Sequence, residues 1–196
     1  MKKLIIILLF IITSGIFSKT TDEFLHEFGI LDKSIEYYNK ALNIKSMNGG
    51  IQEIRSAYRD AVKEDERNYL ALDELGNIAR MEGNIRDAGN YYLKSIEVNP
   101  DGYDSYSYII DLYRSEGNSE KMKEYAEMLV EKHPDYPDGY YVLAQMYEEA
   151  GNKNNALKYY SDALKKYDNY NTDKFPDKAE VVLENRKLDS IIGIAD

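Results

Sequence analysis

Between residues 69 and 100 the chain reads YLALDELGNIARMEGNIRDAGNYYLKSIEVNP, with apolar positions recurring three and four apart. The pattern breaks at Gly83-Asn84, resumes, and stops at Asn99-Pro100. That spacing predicts two amphipathic helices joined by a tight turn. It returns at a fixed offset of 34 residues: Gly83, Gly117 and Gly151 are each followed by Asn (84, 118 and 152), and Pro100 is answered by Pro134. A period of that length predicts a stack of helical hairpins, each burying its apolar stripe against its neighbours. The regular units run 69–102, 103–136 and 137–170. In each, the Gly supplies the left-handed backbone that closes the first helix, and the Asn caps the second.

Upstream, residues 35–68 form a degenerate unit in the same phase, since Gly49 stands 34 before Gly83. Its first helix carries Ile35, Tyr38, Ala41 and Leu42; its second carries Ile54, Tyr58, Ala61 and Val62, with a turn at Asn48-Gly49-Gly50 between them. DKSIEYYNKAL equally fits the second helix of a hairpin turning at Gly29, so two registers are open at the start of the array. Residues 19–34 then form a cap or partial unit, with Phe24, Leu25 and Phe28 on one side and Gly29 as the helix stop. After Asn171-Thr172-Asp173, the segment Phe175 to Leu188 predicts one more helix, with Pro176 in its first turn and Ala179, Val182 and Leu183 inward. Residues 171–196 would thus be a capping helix and tail that closes the last apolar face.

These units resemble the tetratricopeptide repeat. That 34-residue motif has a large residue at place 4, Leu at 7, Gly or Ala at 8, Tyr at 11, Ala at 20, an aromatic at 24, Ala at 27 and Pro at 32. The first regular unit carries Leu72, Leu75, Gly76, Ala79, Ala88, Tyr92, Ser95 and Pro100 at those places. The second carries Tyr106, Ile109, Ile110, Tyr113, Met122, Ala126, Leu129 and Pro134; the third carries Tyr140, Leu143, Ala144, Tyr147, Ala156, Tyr160, Ala163 and Asp168. The resemblance covers residues 35–170. It implies an all-α fold, a right-handed α-solenoid of helical hairpins with a C-terminal capping helix. The middle unit departs from the pattern with Ile110 and Met122 at the small places and Ala126 at the aromatic one. A volume exchange is expected, with Met122 filling the space left at Ala126, because cores tolerate redistribution when total volume is kept.

Composition adds a compartment and removes several functions. Residues 1–18, MKKLIIILLFIITSGIFS, read as an export signal: Lys2 and Lys3 lead an apolar run from Leu4 to Ile12, and Ser14, Gly15 and Ser18 lie near the expected cut after Ser18. An uncleaved anchor that borrows Ile16 and Phe17 is the rival reading. The expected location is exported, periplasmic or extracytoplasmic, with anchoring in the inner membrane as the alternative; membrane contact is expected only if the leader is uncleaved. The chain of 196 residues carries a formal net charge of -10, which disfavours a phosphate-backbone partner and hence nucleic acid. Cysteine is absent, so neither a disulfide nor a thiolate metal site is available. The 19 tyrosines fall largely where a repeat needs a bulky packing residue.

Catalytic constellations are lacking in the pattern. The two histidines, His26 and His133, fall in different parts of the array, and His133 suits the carboxyl end of a helix. Asp101-Gly102-Tyr103-Asp104 and Asp135-Tyr136-Pro137-Asp138-Gly139 do not match a calcium loop and read as turns between units. No catalytic residue, cofactor, metal site or small-molecule substrate is expected. The resemblance implies a concave groove lined by first helices. Its wall would hold Leu70, Asp73, Asn77, Arg80 and Met81, then Asp104, Ser107, Asp111, Arg114 and Ser115, then Asp138, Tyr141, Gln145, Glu148 and Glu149. Arg80 and Arg114 share one place in successive units; Asp73 and Asp111 are their candidate carboxylate partners, and Tyr141 is a candidate anchor. The expected function is a non-catalytic adaptor or scaffold of the cell envelope that binds a protein or peptide segment in this groove. The alternative is a structural or assembly component that oligomerises or docks through its convex face or terminal helices. The Lys-and-Asn clamp that some members use for a carboxyl-terminal peptide is missing, since Asp73 and Ser107 stand where the Lys would be.

Overall fold

The computed structural model describes residues 20–168, so the leader and the capping helix expected at 171–196 lie outside the described residues. Nine helices are present among them: α1 (Thr21–Glu27), α2 (Asp32–Ser46), α3 (Ile51–Glu64), α4 (Tyr69–Met81), α5 (Ile85–Val98), α6 (Tyr103–Ser115), α7 (Ser119–Lys132), α8 (Pro137–Glu149) and α9 (Lys153–Asp168). Extensive packing is confined to helices consecutive in the chain, most of all within the pairs α2/α3, α4/α5, α6/α7 and α8/α9. Four hairpins therefore stack in chain order. The register at the start is also decided: α2 pairs with α3 and touches α1 only slightly, so DKSIEYYNKAL belongs to the first helix of a hairpin.

The turns follow from their residues. Gly83, Gly117 and Gly151 sit at φ +77°, +68° and +72°. Beyond each, the N–H of Asn84, Asn118 or Asn152 returns to the carbonyl of Ala79, Tyr113 or Tyr147 at 2.9, 2.9 and 2.8 Å. The same asparagine then accepts from a backbone N–H in the next helix: Asp87 at 3.5 Å, Lys121 at 3.1 Å and Asn155 at 3.2 Å. One residue thus closes one helix and opens the next. In the α2/α3 hairpin the expected turn at Asn48-Gly49-Gly50 is present, and these tasks are divided among its residues. Asn48, not Gly49, holds the positive φ (55°). The Gly49 N–H bonds Ile44 O at 2.8 Å, and Gly50 becomes the N-cap, so the turn is one residue longer than in the regular hairpins.

Packing bears out the small-residue logic and shifts one partner. A Cβ on Gly76 would lie 2.4 Å from the Tyr92 ring, so place 8 faces place 24 across the hairpin. At the equivalent places of the middle hairpin the sizes are reversed, with Ile110 and Ala126 both buried. Met122 is buried in the same apolar cluster, as expected, but the direct exchange of volume is between Ile110 and Ala126. At the amino end Leu25 is buried, whereas Phe24 and Phe28 remain partly exposed and lean edge-on against Tyr69. Asp65, Arg67 and Leu31 tie this end together: Arg67 Nη2 reaches Asp65 Oδ2 and Gly29 O, both at 2.8 Å, and the Leu31 N–H donates to Asp65 Oδ2 at 3.0 Å.

Candidate functional site

The expected groove positions lie on the first helices α4, α6 and α8, and six of the fifteen line two open pockets. The first, about 300 Å³, lies at the amino ends of α4 and α6. Leu70, Asp73 and Asp104 line it together with Phe24, Tyr69, Asp101, Tyr103 and Ser105. The second, about 340 Å³, lies toward the carboxyl ends of α6 and α8, where Arg114, Gln145 and Glu149 meet Tyr113, Ser119 and Met122. At 1.5 Å of rise per residue, Asp104 and Arg114 are about 15 Å apart along α6. One end of this wall is acidic and the other holds Arg114, whose Nη1 pairs with Asp111 at 3.0 Å and whose Nη2 lies 3.5 Å from Gln145 in the next hairpin.

Between the pockets the wall carries tyrosine hydroxyls. The Tyr92 hydroxyl donates to Asn77 Oδ1 at 2.8 Å, and the Tyr108 ring lies 5.4 Å from that of Tyr92. Burial pushes both phenols up to about 12; against it, Arg80 pulls Tyr92 down and the bond to Asn77 pulls Tyr108 down. Both are therefore hydrogen-bond donors throughout the neutral range. In the last hairpin the Tyr160 hydroxyl donates to Glu148 Oε2 at 2.5 Å, and Tyr141 leans on the Tyr160 ring at 5.9 Å.

Exposure divides the expected positions. Arg80, Met81, Asp104, Asp111, Arg114 and Glu148 are exposed; Leu70, Asn77, Ser107, Tyr141 and Gln145 are half-buried; Asp73 is only 5% exposed. Asp111 is indeed the carboxylate that meets Arg114. Asp73 departs from its expected role as an ion-pair partner. Its carboxyl faces the Ser105 hydroxyl of the next hairpin, with both oxygens 2.9 Å from Oγ. Glu74 and Tyr108 stand beside the expected positions and were not among them, whereas Tyr38 lies in the core, as its stripe predicts. Glu74 and Tyr108 hold the sixth place of their helices, one residue beyond a place the family uses. Tyr38 feels the charge of both Asp73 and Glu74, with burial the larger cause of its raised pKa.

A family model described as tetratricopeptide repeat matches residues 109–171. Among solved structures, a crystal structure of MamA is 20% identical, with a TM-score of 0.61, covering 76% of this chain and 85% of that one. A MamA from Desulfovibrio magneticus RS-1, residues 41 to the end, is 14% identical with a TM-score of 0.56, covering 82% and 97%. PilF of Pseudomonas aeruginosa is 16% identical with a TM-score of 0.62, covering 83% and 74%. No curated protein matches. Residues 109–171 thus match the tetratricopeptide repeat, and the solved structures share the fold of the described helices. The repeat architecture accounts for the even pitch at which the first helices present their side chains. Among the described residues, no group of three or more His, Cys, Asp or Glu could hold a metal ion, and no helix is long and apolar enough to cross a membrane.

Proposed function

We propose that this chain is a non-catalytic adaptor of the cell envelope whose wall of first helices holds an extended or helical segment of a partner protein. The observation that carries the reading is the convergence of separate repeats on two pockets, one acidic and one holding Arg114. Leu70, Asp73 and Asp104 come from two hairpins, as do Arg114, Gln145 and Glu149. A segment with a basic residue near one end and a carboxylate about 15 Å away complements that wall. Aromatic and arginine side chains in partly desolvated pockets are the usual carriers of binding energy, which places Arg114, Tyr108 and Tyr141 at its centre. The export reading rests on residues 1–18 alone.

The test is a paired charge reversal, Arg80→Glu with Arg114→Glu. Both side chains are exposed, and the Arg114–Asp111 pair joins half-exposed groups within one helix, so folding should be little affected. Partner capture by the double variant is expected to fall at least tenfold, with the thermal midpoint unchanged. Capture at the level of the unaltered chain would transfer the binding surface to the second helices or the ends of the stack.

A further inference from the structure

Two carboxylates are buried among the described residues, and their surroundings are opposite. Asp65 receives the Arg67 guanidinium through Nε at 3.0 Å and Nη2 at 2.8 Å, plus the backbone N–H groups of Arg67 and Leu31, each at 3.0 Å. It is held below the ordinary carboxylate range by those donors, although burial alone would raise it. Asp73 meets serine hydroxyls instead. Ser105 Oγ lies 2.9 Å from both of its oxygens and 2.9 Å from Ser95 Oγ, which in turn lies 3.2 Å from the Tyr69 carbonyl. This row crosses the seam between the α4/α5 and α6/α7 hairpins.

Counting hydrogens decides how the row is filled. Three links in series, Asp73 to Ser105, Ser105 to Ser95 and Ser95 to Tyr69 O, need three hydrogens. The two hydroxyls supply one each, and a peptide carbonyl supplies none. A carboxylic proton on Asp73 can supply the third, with Asp73 donating to Ser105, Ser105 to Ser95 and Ser95 to Tyr69 O. An ionised Asp73 would draw the hydroxyl hydrogens toward itself. One link would then go unfilled: either Tyr69 O loses its side-chain donor, or Ser95 and Ser105 face each other oxygen to oxygen at 2.9 Å.

We propose that Asp73 is a protonated carboxylic acid that latches the second and third hairpin rows together, and that loss of its proton loosens the seam between α4 and α6. This goes beyond what occupies the groove, and it stands or falls without any partner. The charged groups that act on Asp73 are Glu74 from its own helix and Asp104 from α6, both acidic; α5 contributes Ser95, α6 Ser105, and α2 the Tyr38 phenol. Burial raises Asp73 to about 7, the two serine hydroxyls work against it, and Asp104 and Glu74 add to the rise. Asp73 also lines the 300 Å³ pocket, so its proton exchanges with solvent without global unfolding.

The sign follows from linkage. The folded chain keeps a proton that the unfolded chain releases near pH 4, so this group's contribution is fully present below that pH. It declines as the pH climbs to about 7 and is flat above.

The full chain should be titrated by NMR of the Asp73 side-chain carbon, and its thermal midpoint compared with that of Asp73→Asn between pH 5 and 8.5. Asn keeps a donor for Ser105, so the variant is expected to be at least as stable as the unaltered chain at pH 8.5. It should also lack the part of the pH slope that the unaltered chain shows below 7. The Asp73 signal should titrate with a midpoint near neutrality, and the protection of α4 and α6 amides, taken relative to their intrinsic exchange rates, should fall at pH 8.5 in the unaltered chain only. A midpoint below pH 5, or identical pH slopes for the two proteins, overturns the proposal. If Asp73→Asn does not fold, the NMR midpoint of the unaltered chain decides alone.

Discussion

Gly76 and Gly83 are both glycines of one hairpin, yet they are required for different reasons. A Cβ on Gly76 would meet Tyr92 Cε1 at 2.4 Å and Cδ1 at 2.7 Å. The ring cannot swing away, since Tyr92 is fully buried and its hydroxyl is fixed on Asn77. Gly76→Ala is therefore an overpacking change, expected to cost about 1–3 kcal/mol in denaturant unfolding. A Cβ on Gly83 would meet nothing within 4 Å, and the requirement there is the backbone φ of +77° alone. The need for a small residue at 76 was legible from the repeat pattern. The identity of the group pressing on it was not, because it depends on the angle at which α5 crosses α4.

The hairpin turn is the repeating element, and it compresses two caps into Gly-Asn. Asn118 receives the Lys121 N–H at 3.1 Å while its own N–H returns to Tyr113 O at 2.9 Å. Asn118→Ala removes only the side-chain half of that arrangement. It should lower the unfolding free energy by about 1 kcal/mol, read from the urea midpoint at unchanged slope. The α2/α3 turn shows what happens when the dipeptide is absent. Asn48 takes the left-handed place, and Gly49 is inserted against Ile44, where a Cβ would come within 2.3 Å of Cγ2. The 34-residue offset of Gly49 hid this, since counting residues does not reveal which of two adjacent ones adopts a positive φ.

At the scale of the whole molecule, the absence of extensive packing between non-consecutive helices among the described residues makes stability a sum over neighbouring hairpins. Damage should then remain local. Leu143 is 2% exposed within the cluster shared by α5 through α8. Leu143→Ala is expected to remove about 2–5 kcal/mol where it sits. Hydrogen exchange should show protection lost first in α8 and α9, with α2 and α3 amides keeping most of theirs; equal loss along the whole chain would contradict a quasi-linear stack. The same linearity explains the groove. Each first helix repeats its exposed side one step further along, so residues 34 apart, such as Asp111 and Gln145, end up flanking one arginine.

The residue order alone determined the helices, their pairing from Tyr69 onward and the Gly-Asn turns, because those depend on local spacing, backbone sterics and caps within a few positions. Only the tertiary structure decided which register opens the stack and which residue faces Tyr92. It also decided that Asp73, read as a groove carboxylate, turns inward against Ser105 of the next hairpin. Those outcomes depend on how neighbouring helices and hairpins approach one another, and a linear pattern carries no record of that angle.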